Sequence, residues 1–349
     1  MSRPRKRRTG CFTLLLLAAI VAVLAFAWFR YDTFADAPMR GVRPGASVVV
    51  RPGHSLPTVL RSLQAAGVQG STLEWTALAR QLGAAGRLQV GEYRLEPGMT
   101  PRELLIDMRD GRVVQHKVTI VEGWNIRDVR AALAKAEPLV HDAAKLDDAA
   151  LMAKLGHPGQ HPEGRFLPET YVFTRGDSEI DVLGRAYKAM QKALDAAWRS
   201  RRADTVLKTP DEMLTLASIV EKETGIAEER PAIAGLFERR LKLGMLLQTD
   251  PTVIYGMGTA YAGNIRKADL QADTPYNTYT RAGLPPTPIA MPGVASLQAV
   301  ANPAQGDALY FVAVGDGSGR HLFAKSLAEH QQNVQKYLAN YRAAQATRQ

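Results

Sequence analysis

From Cys11 to Phe29 the chain runs for nineteen residues without a charged side chain. As a helix that run spans roughly 28 Å at 1.5 Å per residue, close to the hydrocarbon thickness of a bilayer. Arg3, Arg5, Lys6, Arg7 and Arg8 precede it, with no acid among the first eight residues. By the positive-inside rule the N-terminus is then expected in the cytoplasm and everything after the run outside, with Trp28 and Tyr31 at the outer interface. Ala25-Phe26-Ala27 has the look of a signal-peptide cleavage site. The apolar run is longer than the usual signal core, however, so a single-pass inner-membrane anchor is expected rather than a leader.

The basic cluster also changes how the net charge reads. Of the formal +10, five charges lie in the first eight residues, leaving 10 − 5 = +5 for the rest, so no nucleic-acid partner is expected. Cys11 is the one cysteine and lies inside the apolar run. Disulfides and thiol chemistry are therefore excluded for the exported part.

The remaining sequence, with 46% hydrophobic residues overall, patterns as an α+β protein. Residues 1–10 form the basic N-terminus, 11–30 the transmembrane helix, and 31–45, with Pro38, Gly41, Pro44 and Gly45, a linker. Residues 46–115 read as a small α+β unit. It comprises a β-branched run at Val48-Val49-Val50, helices over 56–63 and 71–83, an edge strand at Gly91 to Leu95, and a helix opened by the capping box Thr100-Pro101-Arg102-Glu103. Residues 116–349 form a larger α+β domain. A β-rich run from Val113 to Val121 leads into it, 126–160 and 178–202 are helical, and Glu163 to Tyr171 is a loop entering a strand. Ala308 to Val314 is a buried-type strand paired with His321-Leu322-Phe323, and a helix over 326–345 closes the chain. His157 and His161 have metal-pair spacing, but two prolines and a glycine argue against a helix there, and neither a metal nor any other cofactor is expected.

The chemistry-bearing candidates gather on one helix. Thr209-Pro210-Asp211-Glu212 is a strong helix start, and the helix should reach Thr224. At 100° per residue Met213, Leu216, Ala217 and Val220 form an apolar stripe, while Thr215, Ser218 and Lys222 form the polar side. Glu221 falls at one border of the stripe and Glu223 near the other. A carboxyl group so placed can be partly desolvated and hold a proton near neutral pH, as a general acid must. Periodicity alone does not choose between them.

A helix over 228–243 follows, stopped by Gly244. Asp250-Pro251 then reads as a helix cap with proline at the first position rather than as a second catalytic acid. The segment from Pro275 to Ile289 is too rich in proline and polar groups for core, and its tyrosines and amides suit sugar binding.

The stretches Ala217-Ser218-Ile219-Val220-Glu221-Lys222-Glu223-Thr224 and Leu247-Gln248-Thr249-Asp250-Pro251-Thr252-Val253-Ile254-Tyr255-Gly256 resemble the endolytic murein transglycosylase (MltG, YceG-like) family. So do Tyr276-Asn277-Thr278-Tyr279, Gly283-Leu284-Pro285-Pro286, Asn302-Pro303-Ala304 and Tyr310-Phe311-Val312. The resemblance implies a LysM-like fold for 46–115 and a YceG-like catalytic domain for 116–349. It implies lytic cleavage of the bond between N-acetylmuramic acid and N-acetylglucosamine, with Glu221 as the catalytic residue and a 1,6-anhydro end as product. Such an enzyme would terminate nascent glycan strands at the bacterial inner membrane beside peptidoglycan synthases. Around the cleft Ser218, Gln248, Thr249, Asp250, Tyr255, Asn277 and Tyr279 are the expected substrate-binding residues. The rival readings are a hydrolytic muramidase that also employs Glu223 and Asp250, and a non-enzymatic wall-binding scaffold.

Overall fold

The computed structural model describes residues 8–346, so the basic cluster from Arg3 to Arg7 lies outside the described residues. The fold is mixed helix and strand, in two compact units. The first reaches His116 and takes in Thr174–Gly176; the second comprises Lys117–Phe173 and the chain from Asp177 onward.

The first unit begins with α1 (Arg8–Asp36), whose apolar side chains, among them Phe12, Leu16, Val23 and Phe29, are exposed. It is long and apolar enough to cross a membrane. The helix continues to Asp36, whereas a linker was expected from residue 31. From Tyr31 to Ala37 no glycine or proline interrupts the chain, and the last turns of the helix are tied down. Arg30 pairs with Glu74 at 2.9 Å, Asp36 with Arg102 at 2.7 Å, and Ala35 is buried.

Then follow β1 (Ser47–Val50), α2 (Leu56–Ala65), α3 (Thr72–Gln81), β2 (Gly91–Arg94) and α4 (Pro101–Asp110). β1 and β2 pair antiparallel, Ser47 opposite Arg94 and Val50 opposite Gly91. Leu60, Leu63, Leu78, Tyr93, Leu104 and Met108 fill the core beneath them. The capping box forms as expected, Thr100 Oγ1 accepting from the Glu103 N–H at 3.2 Å and the Glu103 carboxylate from the Thr100 N–H at 2.8 Å. Gly111 ends α4 at φ 73°, a left-handed conformation that glycine adopts without strain.

The second unit opens within β3 (His116–Thr119), which pairs with β4 (Thr170–Phe173). The expected helix over 126–160 is two shorter ones, α5 (Ile126–Ala134) and α6 (Asp148–Lys154). Pro138 prevents continuous helix, and Asp147 starts α6 afresh by accepting from the Ala150 N–H at 2.7 Å. Next come α7 (Glu179–Arg199), α8 (Pro210–Glu223), α9 (Arg230–Lys242), α10 (Asp250–Met257), α11 (Lys267–Gln271) and α12 (Val294–Ala301). A ribbon of β5 (Tyr310–Ala313) and β6 (His321–Ala324) and the closing α13 (Leu327–Ala346) complete the chain. Expected as a buried strand, β5 is half-buried throughout. It has one strand neighbour and α13 against it, too little cover for full burial.

Helices α7, α9 and α12 all pack on α8 or on one another, so α8 is the central rod of this unit. Every residue from Met213 to Val220 is buried.

Candidate active site

The site is built where α8 leaves its own core. Thr209 caps the helix, accepting from the Glu212 N–H at 3.1 Å, with Pro210 at the first position. Thr215 and Ser218 were expected on a polar, exposed side, and both are buried instead. Their hydroxyls bond back into the helix, Thr215 to the Asp211 carbonyl at 2.9 Å and Ser218 to the Thr215 carbonyl at 2.7 Å. Ser218 Oγ also accepts from the Ile289 N–H at 3.0 Å. Small hydroxyl residues can thus sit inside a core, because the helix supplies the partner that water would otherwise provide.

After Val220 the last turn carries the two glutamates in different directions. Glu221 Oε2 accepts from the Gly293 N–H at 2.9 Å and from the Ser296 hydroxyl at 2.7 Å. Its other oxygen accepts from Arg230 at 3.3 Å, and the side chain is 5% exposed. Gly293 is the N-cap of α12 and has no side chain to satisfy the first amides. Glu221 takes over that capping role and joins the end of α8 to the start of α12. All its partners are donors, and both of its oxygens are occupied.

Glu223 faces another group of residues. It accepts a short hydrogen bond from the Thr249 hydroxyl. Burial pushes its carboxyl up from 4.5 to about 7, against the Thr249 bond; the nearby Asp250 charge raises it further, and Arg240 works the other way. This group holds a proton near neutrality, as a general acid must.

The segment bearing Thr249 is unusual in its backbone. Gln248 has φ 50°, the one left-handed non-glycine residue among those described, and its side chain is exposed. Such a conformation costs about 1–3 kcal/mol and persists only where the surroundings enforce it. Here the Gln248 N–H donates to the Thr278 carbonyl at 3.1 Å and the Thr249 N–H to the Thr278 hydroxyl at 3.1 Å. Thr252 closes the cluster on Thr278 at 2.9 Å.

Asp250 opens α10, with Thr249 rather than Asp250 at the N-cap position, and accepts from the Tyr279 hydroxyl at 2.5 Å. Asn277 is fully buried. Its amide donates to the Asp269, Leu270 and Ala272 carbonyls at 3.3, 3.1 and 2.7 Å, and its oxygen accepts from the Tyr279 N–H. It holds the loop that presents Tyr279.

Of the residues singled out from sequence, the fold therefore brings together Glu223, Gln248, Thr249, Asp250 and Tyr279. Glu221 lies at the α12 junction, and Ser218 and Asn277 are internal struts. Tyr255 belongs to a neighbouring cavity, packing on Tyr276 with ring centroids 4.8 Å apart. Sequence reasoning missed Arg240, whose guanidinium donates to the Leu247 and Leu309 carbonyls at 2.9 and 2.6 Å. It also passed over the role of Glu163, fully buried and pushed up to about 7 by that burial. Arg240 sits in an ordinary basic helix end that gives no signal. Glu163 heads the Glu-Gly stretch before Pro168, among polar and charged neighbours such as His161 and Arg165 that give no sign of its burial.

Fold and site define a mixed α+β protein with a potential membrane-spanning helix and a carboxyl group held near neutrality at the end of a buried helix. The YceG-like family matches residues 48–336, and the chain belongs to it. It is 30% identical over 305 residues to the endolytic murein transglycosylase of Bacillus subtilis (strain 168), an alignment covering 82% of this chain and 83% of that protein. The endolytic murein transglycosylase of Streptococcus pneumoniae serotype 2 (strain D39 / NCTC 7466) is 25% identical across 94% of this chain, which spans 65% of that longer relative. The crystal structure of the yceG-like protein lmo1499 from Listeria monocytogenes superposes with a TM-score of 0.53. That match is at 27% identity and covers 83% of this chain and 99% of the other.

Proposed function

We propose that this chain is an endolytic peptidoglycan lytic transglycosylase that cuts the β-1,4 bond between N-acetylmuramic acid and N-acetylglucosamine. The names of its relatives support the substrate class. The carrying observation is Glu223, a carboxyl held at about 7 beside Thr249 and Asp250.

One such group serves both halves of a lytic reaction. As acid, Glu223 gives its proton to the glycosidic oxygen while the bond from C1 to that oxygen breaks. As base, it takes the proton of the muramoyl 6-hydroxyl, whose oxygen bonds to C1 and closes a 1,6-anhydro ring. The proton is returned and no water is consumed. The family resemblance points to Glu221 for this role. The geometry favours Glu223, because the Glu221 oxygens are engaged by Gly293, Ser296 and Arg230. In this reading Glu221 positions the end of α8. Gln248, Asp250 and Tyr279 line the cleft, while Thr249 orients Glu223.

A hydrolytic muramidase is the second reading, favoured by the Asp250 carboxylate close enough to raise Glu223. Mass spectrometry of digested peptidoglycan decides between them. Anhydro ends support the lytic reaction; reducing ends favour hydrolysis; no cleavage favours a wall-binding scaffold.

The rest of the proposal concerns place. The α1 helix anchors the chain in the inner membrane, N-terminus inside and residues 46–349 outside. The β-α-α-β order of β1 to β2 supports a LysM-like unit over 46–115. Residues 116–349 form the catalytic domain, acting on nascent strands beside membrane-bound synthases and so ending their growth.

A further inference from the structure

The second unit contains a cavity of about 250 Å³ that the proposed reaction does not use, lined by Arg127, Asp148, His161, Glu163, Tyr255 and Tyr276. At about 30 Å³ per water it holds the equivalent of roughly eight waters, room for a single sugar ring rather than a chain segment. Resting on the transglycosylase reading, we propose that it is a subsite for a muramoyl residue of the glycan strand, whose acidic 3-O substituent is recognised by Arg127.

The walls are rigid before any ligand arrives. Tyr255 and Tyr276 meet at 60°, and the Tyr276 hydroxyl bonds with Thr287 at 2.8 Å. Glu163, with no exposed surface, accepts from the Ile126 N–H with both oxygens, at 3.1 and 3.2 Å. It is thereby fixed at the start of α5, in the wall it shares with Tyr255. Gly164 is needed beside it: its φ is 77°, and a Cβ there would stand 2.6 Å from Pro288. Aromatic faces locked in this way suit stacking on a pyranose without further ordering cost.

The polar groups select within the sugar class. His161 Nδ1 accepts from the Glu163 N–H at 3.2 Å, which leaves the ring proton on Nε2 as a donor. The Asp148 carboxylate is already paired with Arg130 at 3.1 Å. Arg127 is exposed and, among the described residues, makes no ion pair, so its guanidinium is the uncompensated charge of the cavity. A neutral hexosamine offers it hydroxyl and acetamido acceptors but no opposite charge. A muramoyl residue offers a carboxylate, either on the lactyl group itself or on the peptide stem attached there.

Position along α10 links the cavity to the cleft. Glu223 bonds to Thr249 at the start of that helix, and Tyr255 lies five residues beyond Asp250, an advance of about 7.5 Å. A strand cut at Glu223 can thus carry a nearby ring into the cavity.

The test uses the full chain in detergent carrying Glu223→Gln, so that binding is read without cleavage, with and without Arg127→Gln. Calorimetry compares stem-bearing glycan strands, amidase-stripped strands with free lactyl carboxylates, and chitohexaose, which has no carboxylate. Arg127→Gln is expected to weaken at least one strand preparation about tenfold, the worth of one charge-assisted hydrogen bond, and to leave chitohexaose unchanged. Loss on stripped strands assigns the lactyl carboxylate; loss confined to stem-bearing strands assigns the stem. Unchanged strand affinity, an equal loss on chitohexaose, or no strand binding with Arg127 intact overturns the subsite. Failure of the wild type to cut peptidoglycan overturns the enzyme reading instead, and is measured separately.

Discussion

Replacing Glu223 by glutamine removes an ionisable group from a place that resists charge, and the consequence for stability can be worked out. Held at about 7 against an ordinary 4.5, the folded chain binds this proton roughly 300-fold more tightly than the unfolded chain, about 3 kcal/mol. Because the folded value is raised, that contribution is complete below pH 4.5 and is lost as pH rises through 7. Between pH 5 and 8 the loss from this group is about 2.5 kcal/mol. Glutamine keeps the shape and can still accept from Thr249, but it cannot ionise, so the variant lacks this component. Glu163, also near 7, gives a similar fall in both proteins. Urea denaturation of the second unit's transition in the full chain, in detergent at pH 5, 6, 7 and 8, should therefore show two diverging curves. The wild type should lose about 2.5 kcal/mol more than Glu223→Gln across the range. Parallel curves would refute the assignment of a neutral, desolvated carboxyl at this position.

Three further outcomes follow from the same geometry. Ser218→Ala leaves the Ile289 N–H without a partner in the core and should cost about 1–3 kcal/mol in denaturant unfolding; a loss of substrate affinity at unchanged stability would contradict its internal role. Thr249→Val removes a donor that favours the ionised form of Glu223, so the corresponding limb of the pH–rate profile should move upward by about one pH unit; a downward move would show the wrong group was assigned. Asn277→Leu removes the amide donor to the Asp269, Leu270 and Ala272 carbonyls and leaves the Tyr279 N–H unpaired, and should destabilise by about 2–4 kcal/mol, read as a lower urea midpoint.

Much of the fold was legible because its signals are local. The capping box at Thr100 and the cap at Thr209 place helix starts within a residue, since a hydroxyl, a proline and an acid at fixed offsets mark where the first free amides are satisfied. The apolar run from Cys11 to Phe29 gave α1 directly. What failed were inferences about surroundings. Thr215 and Ser218 look like a polar face by periodicity, yet α8 is enclosed by other helices, and the hydroxyls are satisfied by the helix itself. The end of α1 was placed too early because its last turns are held by Glu74 and Arg102, partners distant in sequence.

The candidate site divides the same way. Periodicity leaves Glu221 and Glu223 as equals, because each is a border glutamate on the same turn. Only tertiary contacts separate them: Gly293 and Ser296 meet the first, Thr249 and Asp250 the second. The strained backbone of Gln248 could not be read from sequence, as glutamine carries no preference for a left-handed conformation.

The most direct measurement is the rate at which purified full-length chain releases products from peptidoglycan, comparing wild type with Glu223→Gln and Glu221→Gln at pH 6–7. Loss of the proton-transfer group should lower kcat for Glu223→Gln by about 10²–10⁴-fold with the chain still folded, while Glu221→Gln retains cleavage at reduced stability. Full activity in Glu223→Gln, with activity abolished in a folded Glu221→Gln, would contradict the account and return the catalytic role to Glu221.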